Sequence, residues 1–176
     1  MNIRKELPKD YAEVYDLVKA AFEHMAEASG DEQDLVNRLR KSKAFIPELS
    51  LVAEMDGKIV GHILFTKMKI GDHESLSLAP VSVLPEYHGQ GIGSALILEG
   101  HRIAREMGYQ SIVVIGHAYY YPRFGYKKAH LFGITAPFDV PPDAFMVIEL
   151  VPDGLKGVSG MIEYAPEFLL KRKMPL

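Results

Sequence analysis

Apolar residues recur at Val14, Leu17, Val18, Ala21, Phe22 and Met25, a three- and four-residue spacing that lines them along one stripe of a helix. Leu7-Pro8-Lys9-Asp10 leads into it, with Asp10 expected as the N-cap, and Ser29-Gly30-Asp31 ends it. Residues 31–41 predict a second, shorter helix. Its acids fall in the first turn and Arg38, Arg40 and Lys41 in the last, as the helix dipole favours. Ahead of both, Asn2–Lys5 predicts a short strand. The period then shortens. Residues 50–55 read as a strand, Asp56-Gly57 as a two-residue hairpin turn, and Lys58–Ile70 as the return strand. Gly71-Asp72-His73 turns the chain again into a strand over 74–84, so three consecutive antiparallel strands form the centre.

Residues 91–107 return to helical spacing, with Ile92, Ala95, Leu96, Leu98 and Ile103 largely on one side and Gly108 as the C-terminal cap. Ser111-Ile112-Val113-Val114-Ile115 is a continuous run of the kind found in strands buried on both faces. Strand, helix and buried strand make a crossover unit, which requires part of the sheet to be parallel. Two closing strands are predicted at 145–150 and 158–164, after a loop carrying Pro137, Pro141 and Pro142. Pro80 sits inside the strand 74–84, where it cannot donate a ladder hydrogen bond. It marks either a sheet edge or a bulged strand parted from its neighbour, whose freed backbone groups an extended ligand could join.

Composition narrows the class without changing the elements. The chain has 176 residues, 48% of them hydrophobic, with 20 Lys plus Arg against 23 Asp plus Glu, a net charge of −3. This is enough for a single domain (1–176) with its own core, and the balance of charge argues against nucleic acid. The absence of cysteine excludes disulfides, a thiolate zinc site and a cysteine nucleophile. The charged start lacks the apolar region of a signal peptide, and no apolar run approaches the ~20 residues of a membrane span, so a soluble, cytoplasmic protein is expected. Lys171-Arg172-Lys173 reads as a solvated terminus. None of the seven histidines falls in a metal-type pair, and no metal is expected.

The candidate chemistry lies in Val81-Ser82-Val83-Leu84-Pro85-Glu86-Tyr87-His88-Gly89-Gln90-Gly91-Ile92-Gly93-Ser94. A strand runs into a glycine-rich turn that opens a helix, where free N–H groups and the helix dipole attract anions. A Walker A loop would need a lysine that is absent after Gly93. A dinucleotide fingerprint would need a glycine spacing that neither Gly89 nor Gly91 starts, and an acid where Ile115-Gly116 stands. Taken alone, the glycines could also serve a tight turn and nothing more.

The segment resembles motif A of the GNAT superfamily of acyl-CoA-dependent N-acyltransferases, Gln/Arg-x-x-Gly-x-Gly/Ala. Gly91 and Gly93 match its last two anchors, and His88 stands where the family has Gln or Arg. Tyr121-Pro122-Arg123-Phe124-Gly125-Tyr126 resembles the family's second signature, and Gly116 to Tyr121 looks like a bacterial predicted-acetyltransferase subgroup. The resemblance implies a mixed α/β (α+β) fold with a mostly antiparallel sheet of about seven strands, flanking helices and a splayed parallel pair. It divides the chain into a cofactor-binding core (1–132) and C-terminal closing strands (133–176).

The same resemblance implies acetyl-CoA as co-substrate, bound by Val81, Ser82, Val83, His88, Gly89, Gln90, Gly91, Ile92, Gly93 and Ser94. The partner would be a small-molecule amine or a peptide amine, and a homodimer is compatible with the fold. A backbone N–H of residues 81–83 would polarise the thioester carbonyl. Tyr121 would protonate the leaving thiolate, with Tyr120 the neighbouring alternative in a run of three tyrosines. No base is legible: Glu54, His62, His73 and His117 are candidates beside water. Residues 24–43 and 131–144 would shape the acceptor site. A non-catalytic acyl-CoA-binding or sensing module is the alternative, against which the ionisable Tyr121 counts.

Overall fold

The computed structural model describes residues 1–26 and 28–169, so the basic tail Lys171-Arg172-Lys173 lies outside the described residues. The elements in chain order are β1 (Asn2–Lys5), α1 (Tyr11–Phe22), α2 (Glu32–Arg40), β2 (Phe45–Met55), β3 (Lys58–Ile70) and β4 (His73–Val83). There follow α3 (Ile92–Glu106), β5 (Ser111–Ile115), β6 (Lys127–Lys128), β7 (Ile134–Thr135), β8 (Phe145–Glu149) and β9 (Gly160–Glu163). The sheet runs β1-β2-β3-β4-β5-β8-β6, with β9 joining β3 beyond the end of β2 and pairing β7.

Two apolar layers enclose this sheet. On one face Val14 and Leu17 of α1 and Leu35 and Leu39 of α2 cover Val52 and Leu64. On the other, Leu96, Ile97 and Ala104 of α3 cover Ile63, Phe65 and Ile112. Gly100 lets α3 press against β3: a Cβ there would stand 2.1 Å from the Phe65 ring.

Only β4 and β5, in the main sheet, run parallel, and their ladder consists of Leu76 with Ile112 and Ser77 with Val113. Beyond it the strands part, as Pro80 and the crossover unit predict. On its other side β4 pairs β3 with Leu78 opposite Phe65 and Val81 opposite Ile63, so β4 carries one extra residue at Ala79-Pro80. That extra residue is a β-bulge, which bends the strand and aims its end away from β5.

Three expectations change. β2 begins at Phe45 rather than residue 50, because an irregularity between Phe45 and Ser50 lets a strand tolerate Pro47. Asp10 stands at the N-cap of α1 as expected, but its side chain makes no capping bond there. Its carboxylate turns back to accept the Leu7 N–H at 2.8 Å and a two-pronged bond from Arg4. The expected seven strands are all present, and among the described residues the two-residue strands β6 and β7 add to them. Helix α1 stops at Phe22, so Met25 lies beyond it and is exposed.

Candidate active site

The parting of β4 and β5 opens a cleft of about 830 Å³. Val81, Ser82 and Val83 form its β4 wall. His88, Gly89, Gly91, Ile92, Gly93 and Ser94 form its floor, and Tyr121 lines the side opposite β4. Gln90, exposed between two glycines, is not among the lining residues.

The floor is shaped by backbone conformation. Gly89 and Gly91 have φ of +78° and +79°, in the left-handed region that a side chain would disfavour by about 1–2 kcal/mol. Gly91 is the N-cap of α3, and the first helical bond runs from Ala95 N–H to Gly91 O. The N–H groups of Ile92, Gly93 and Ser94 therefore have no acceptor within the helix. They sit at the positive end of a 15-residue helix. His88 Nε2–H donates to the Val83 carbonyl at 2.9 Å and ties this turn to the end of β4. A Cβ on Gly93 would meet the Tyr120 hydroxyl at 3.0 Å, so glycine there keeps α3 open to the cleft.

The aromatic wall follows from a second glycine. Gly125, at φ +102°, ends the one-turn helix Tyr121–Phe124. The Tyr121 ring lies over Gly116, where a Cβ would stand 2.4 Å from it, and packs edge-on against Tyr120 and Tyr126. Tyr121 is buried yet reaches the cleft, and burial raises its phenol well above the ordinary value near 10. Behind it the Tyr126 hydroxyl meets His101 Nε2 at 2.9 Å, and burial lowers His101 to about 4.

The base candidates scatter. Glu54 accepts from Arg4 at the far edge of the sheet, and His73 is exposed at the β3–β4 turn. His117 lines the cleft and stacks on Tyr119, while His62 is wholly buried. Sequence reasoning missed Ala21 and Phe22 of α1, which with Met25 and Ala28 line the cleft mouth. It also missed Tyr119 and Arg123, the latter laid over the Tyr120 ring at 4.5 Å. Helical spacing marked Ala21, Phe22 and Met25 as apolar without telling a core from a cleft. Among the described residues no group of His, Asp or Glu could hold a metal ion, and no helix is long and apolar enough to cross a membrane.

A bulged β4 splayed from a parallel β5, with the glycine turn of a helix facing the gap, is the architecture of an acetyltransferase of the GNAT type. The acetyltransferase (GNAT) family profile matches residues 11–126, and the chain belongs to that family. It is 34% identical to the N-acetyltransferase YhbS of Escherichia coli K12 over 171 residues, 96% of this chain and 98% of that one. It is 40% identical to the N-acetyltransferase YjhQ of the same organism over 139 residues, 76% and 74% of the two chains. The crystal structure of Escherichia coli YhbS in complex with CoA superposes with a TM-score of 0.89 at 31% identity, covering 99% of this chain and 93% of that one. A GNAT acetyltransferase from Brucella melitensis in complex with acetyl-CoA gives 0.79 at 38% identity, over 95% and 97%.

Proposed function

We propose that the cleft binds acetyl-CoA and that the protein moves its acetyl group to a primary amine by direct attack in a ternary complex. The observation that carries this reading is the set of unpaired N–H groups at the start of α3, facing the gap between β4 and β5. That arrangement suits a pyrophosphate at the turn and an extended pantetheine arm beside Val81, Ser82 and Val83. The complexes of YhbS with CoA and of the Brucella protein with acetyl-CoA support it. His88, Gly89, Gly91, Ile92, Gly93 and Ser94 would hold the phosphates mainly through backbone. Gln90 would contribute at most its amide.

Acetyl transfer requires an amine lone pair directed at the thioester carbon, stabilisation of the oxyanion and a proton for the departing thiolate. A backbone N–H between Val81 and Val83 serves the oxyanion. As the C–N bond forms and the C–S bond breaks, the attacking nitrogen releases one proton to water, and Tyr121 gives its phenolic proton to the sulfur and recovers one from solvent. Its raised pKa keeps the hydroxyl protonated between turnovers. The cleft mouth is apolar at Ala21, Phe22, Met25, Ala28 and Ala144, which favours an amine flanked by apolar atoms.

Calorimetric titration with CoA, followed by thiol release from acetyl-CoA with a panel of primary alkylamines, arylamines, amino acids and peptide N-termini, tests the reading. Binding with amine-dependent thiol release is expected. Absence of CoA binding overturns it, and binding without turnover on any amine leaves a sensing module instead.

A further inference from the structure

Two buried polar atoms beside the cleft have no part in the chemistry above. Among the described residues, Ser82 Oγ and His62 Nδ1 lack a hydrogen-bond partner, although Ser82 is 2% and His62 0% exposed. Leaving such groups unpaired costs about 1–3 kcal/mol each, so each calls for a partner. The two residues face each other directly in the β3–β4 ladder and so share one face of the sheet. Opposed Cβ atoms there lie about 4.5–5.5 Å apart, so one water can bridge the two side chains, which make no direct bond. Ser82 also forms part of the cleft wall.

The protons on this line can be assigned from its far end. Arg40 donates to both oxygens of Glu6, at 3.1 and 2.5 Å. The Glu6 carboxylate can therefore only accept, and Ser50 Oγ–H donates to it at 2.8 Å. Ser50 has no second proton, so the 3.2 Å contact between Ser50 Oγ and His62 Nε2 is an Nε2–H donating to Ser50. A neutral imidazole has one N–H, which leaves Nδ1 as a bare lone pair. Burial keeps the ring neutral, lowering it to about 4 against the opposing pull of Glu6 and with the help of Arg40.

We infer that Ser82 receives the acceptor amine: His62 Nδ1 takes the Ser82 hydroxyl proton through one water, and the Ser82 lone pairs accept an N–H of the amine beside the thioester. With its only proton engaged, Ser82 presents a pure acceptor to the cleft. It thereby orients a nitrogen that still carries a hydrogen and points its lone pair at the carbonyl carbon held by the neighbouring backbone. Ser82 touches the substrate. His62 is a positioning residue, fixed through Ser50 by the Glu6–Arg40 pair that joins α2 to the segment before α1. This inference rests on the acetyl-transfer reading.

Three measurements test it. Ser82→Ala removes a hydroxyl with no partner and keeps the backbone beside the pantetheine arm, so thermal stability should hold or rise. The amine kcat/KM should nevertheless fall ten- to a hundredfold, and Ser82→Thr should restore most of it. His62→Gln keeps a donor toward Ser50 but loses the lone pair. It should reproduce the Ser82→Ala loss, with the double variant no worse than either single one. Histidine ¹⁵N NMR of the full chain, assigned with His62→Gln, should show the Nε2–H tautomer without any substrate present. An Nδ1–H tautomer, or a folded Ser82→Ala protein whose amine kcat/KM stays within twofold, overturns the inference. If the wild type binds CoA yet acetylates no amine in the panel, the acetyl-transfer reading falls and the role of Ser82 falls with it. The tautomer still reports on the Ser82–His62 pairing independently.

Discussion

One hydroxyl separates Tyr121 from a phenylalanine, and its placement can be tested apart from its ring. Tyr121→Phe keeps the packing over Gly116 and against Tyr126, so acetyl-CoA affinity should be unchanged while kcat falls about 10²–10⁴-fold, as for loss of a general acid. Tyr120→Phe should behave differently. The Tyr120 hydroxyl lies against the first turn of α3, so its loss should raise the KM for acetyl-CoA modestly and leave kcat nearly intact. Steady-state kinetics of the two variants with one amine decide the register, and an exchange of their behaviours would move the acid to Tyr120. The turn that follows the three tyrosines was legible in Gly125, whose φ of +102° only glycine adopts comfortably. The burial that raises the Tyr121 phenol was not legible, because Gly116 and Tyr126 meet it only after the chain folds.

At the scale of elements, α3 joins two demands on one helix. Its N-terminal turn must stay open, and its middle must approach the sheet. Gly91→Glu places a negative side chain at an N-cap with no atom within 4 Å of the new Cβ, so no clash is added to the strain of its positive φ. The folded variant should lose CoA affinity beyond detection by calorimetry through repulsion of the phosphates, and retained affinity would count against the cradle. Gly100→Ala tests the middle of the helix. Alanine is favoured there by about 1 kcal/mol on propensity, but its methyl would stand 2.1 Å from a Phe65 ring carbon. Overpacking of this kind costs about 1–3 kcal/mol, so urea unfolding should show a net loss of stability that Phe65→Leu relieves in the double variant. The glycine turn before α3 announces itself by spacing. Gly100 does not, since nothing local says that β3 brings an aromatic ring beneath it.

At the scale of the molecule, the described residues include two buried neutral imidazoles, His62 and His101, each lowered by burial from 6.5 to about 4. Below about pH 6.5 the unfolded chain binds protons at these positions that the folded chain refuses, so stability falls as pH drops toward about 4 and is unaffected by them above 6.5. The loss amounts to on the order of 3 kcal/mol for each ring. Thermal unfolding followed from pH 8 to 4.5 should show a midpoint that is flat at first and then declines, less steeply in His62→Gln than in the wild type. A midpoint indifferent to pH across that range would contradict the burial of both rings.

Order along the chain was written in the sequence. The alternation of β2, β3 and β4, the β-branched run of β5 and the 3.6-residue stripes of α1 and α3 all follow from local periodicity, which one chain segment can express by itself. So did the glycine turn, because positive φ is a property of single residues, and so did the parting of β4 from β5, because Pro80 lacks a donor wherever it stands. Tertiary structure decided the rest. Ala21, Phe22 and Met25 share the spacing of Val14, Leu17 and Val18, yet the chain buries the second group in the core against the sheet and leaves the first to line a cleft, since burial depends on what lies opposite. The start of β2 was hidden by Pro47, which the irregular pairing with β3 accommodates. Ser82 and His62 lie 20 residues apart as ordinary strand residues. Only the β3–β4 register sets these two residues opposite each other at the edge of the site.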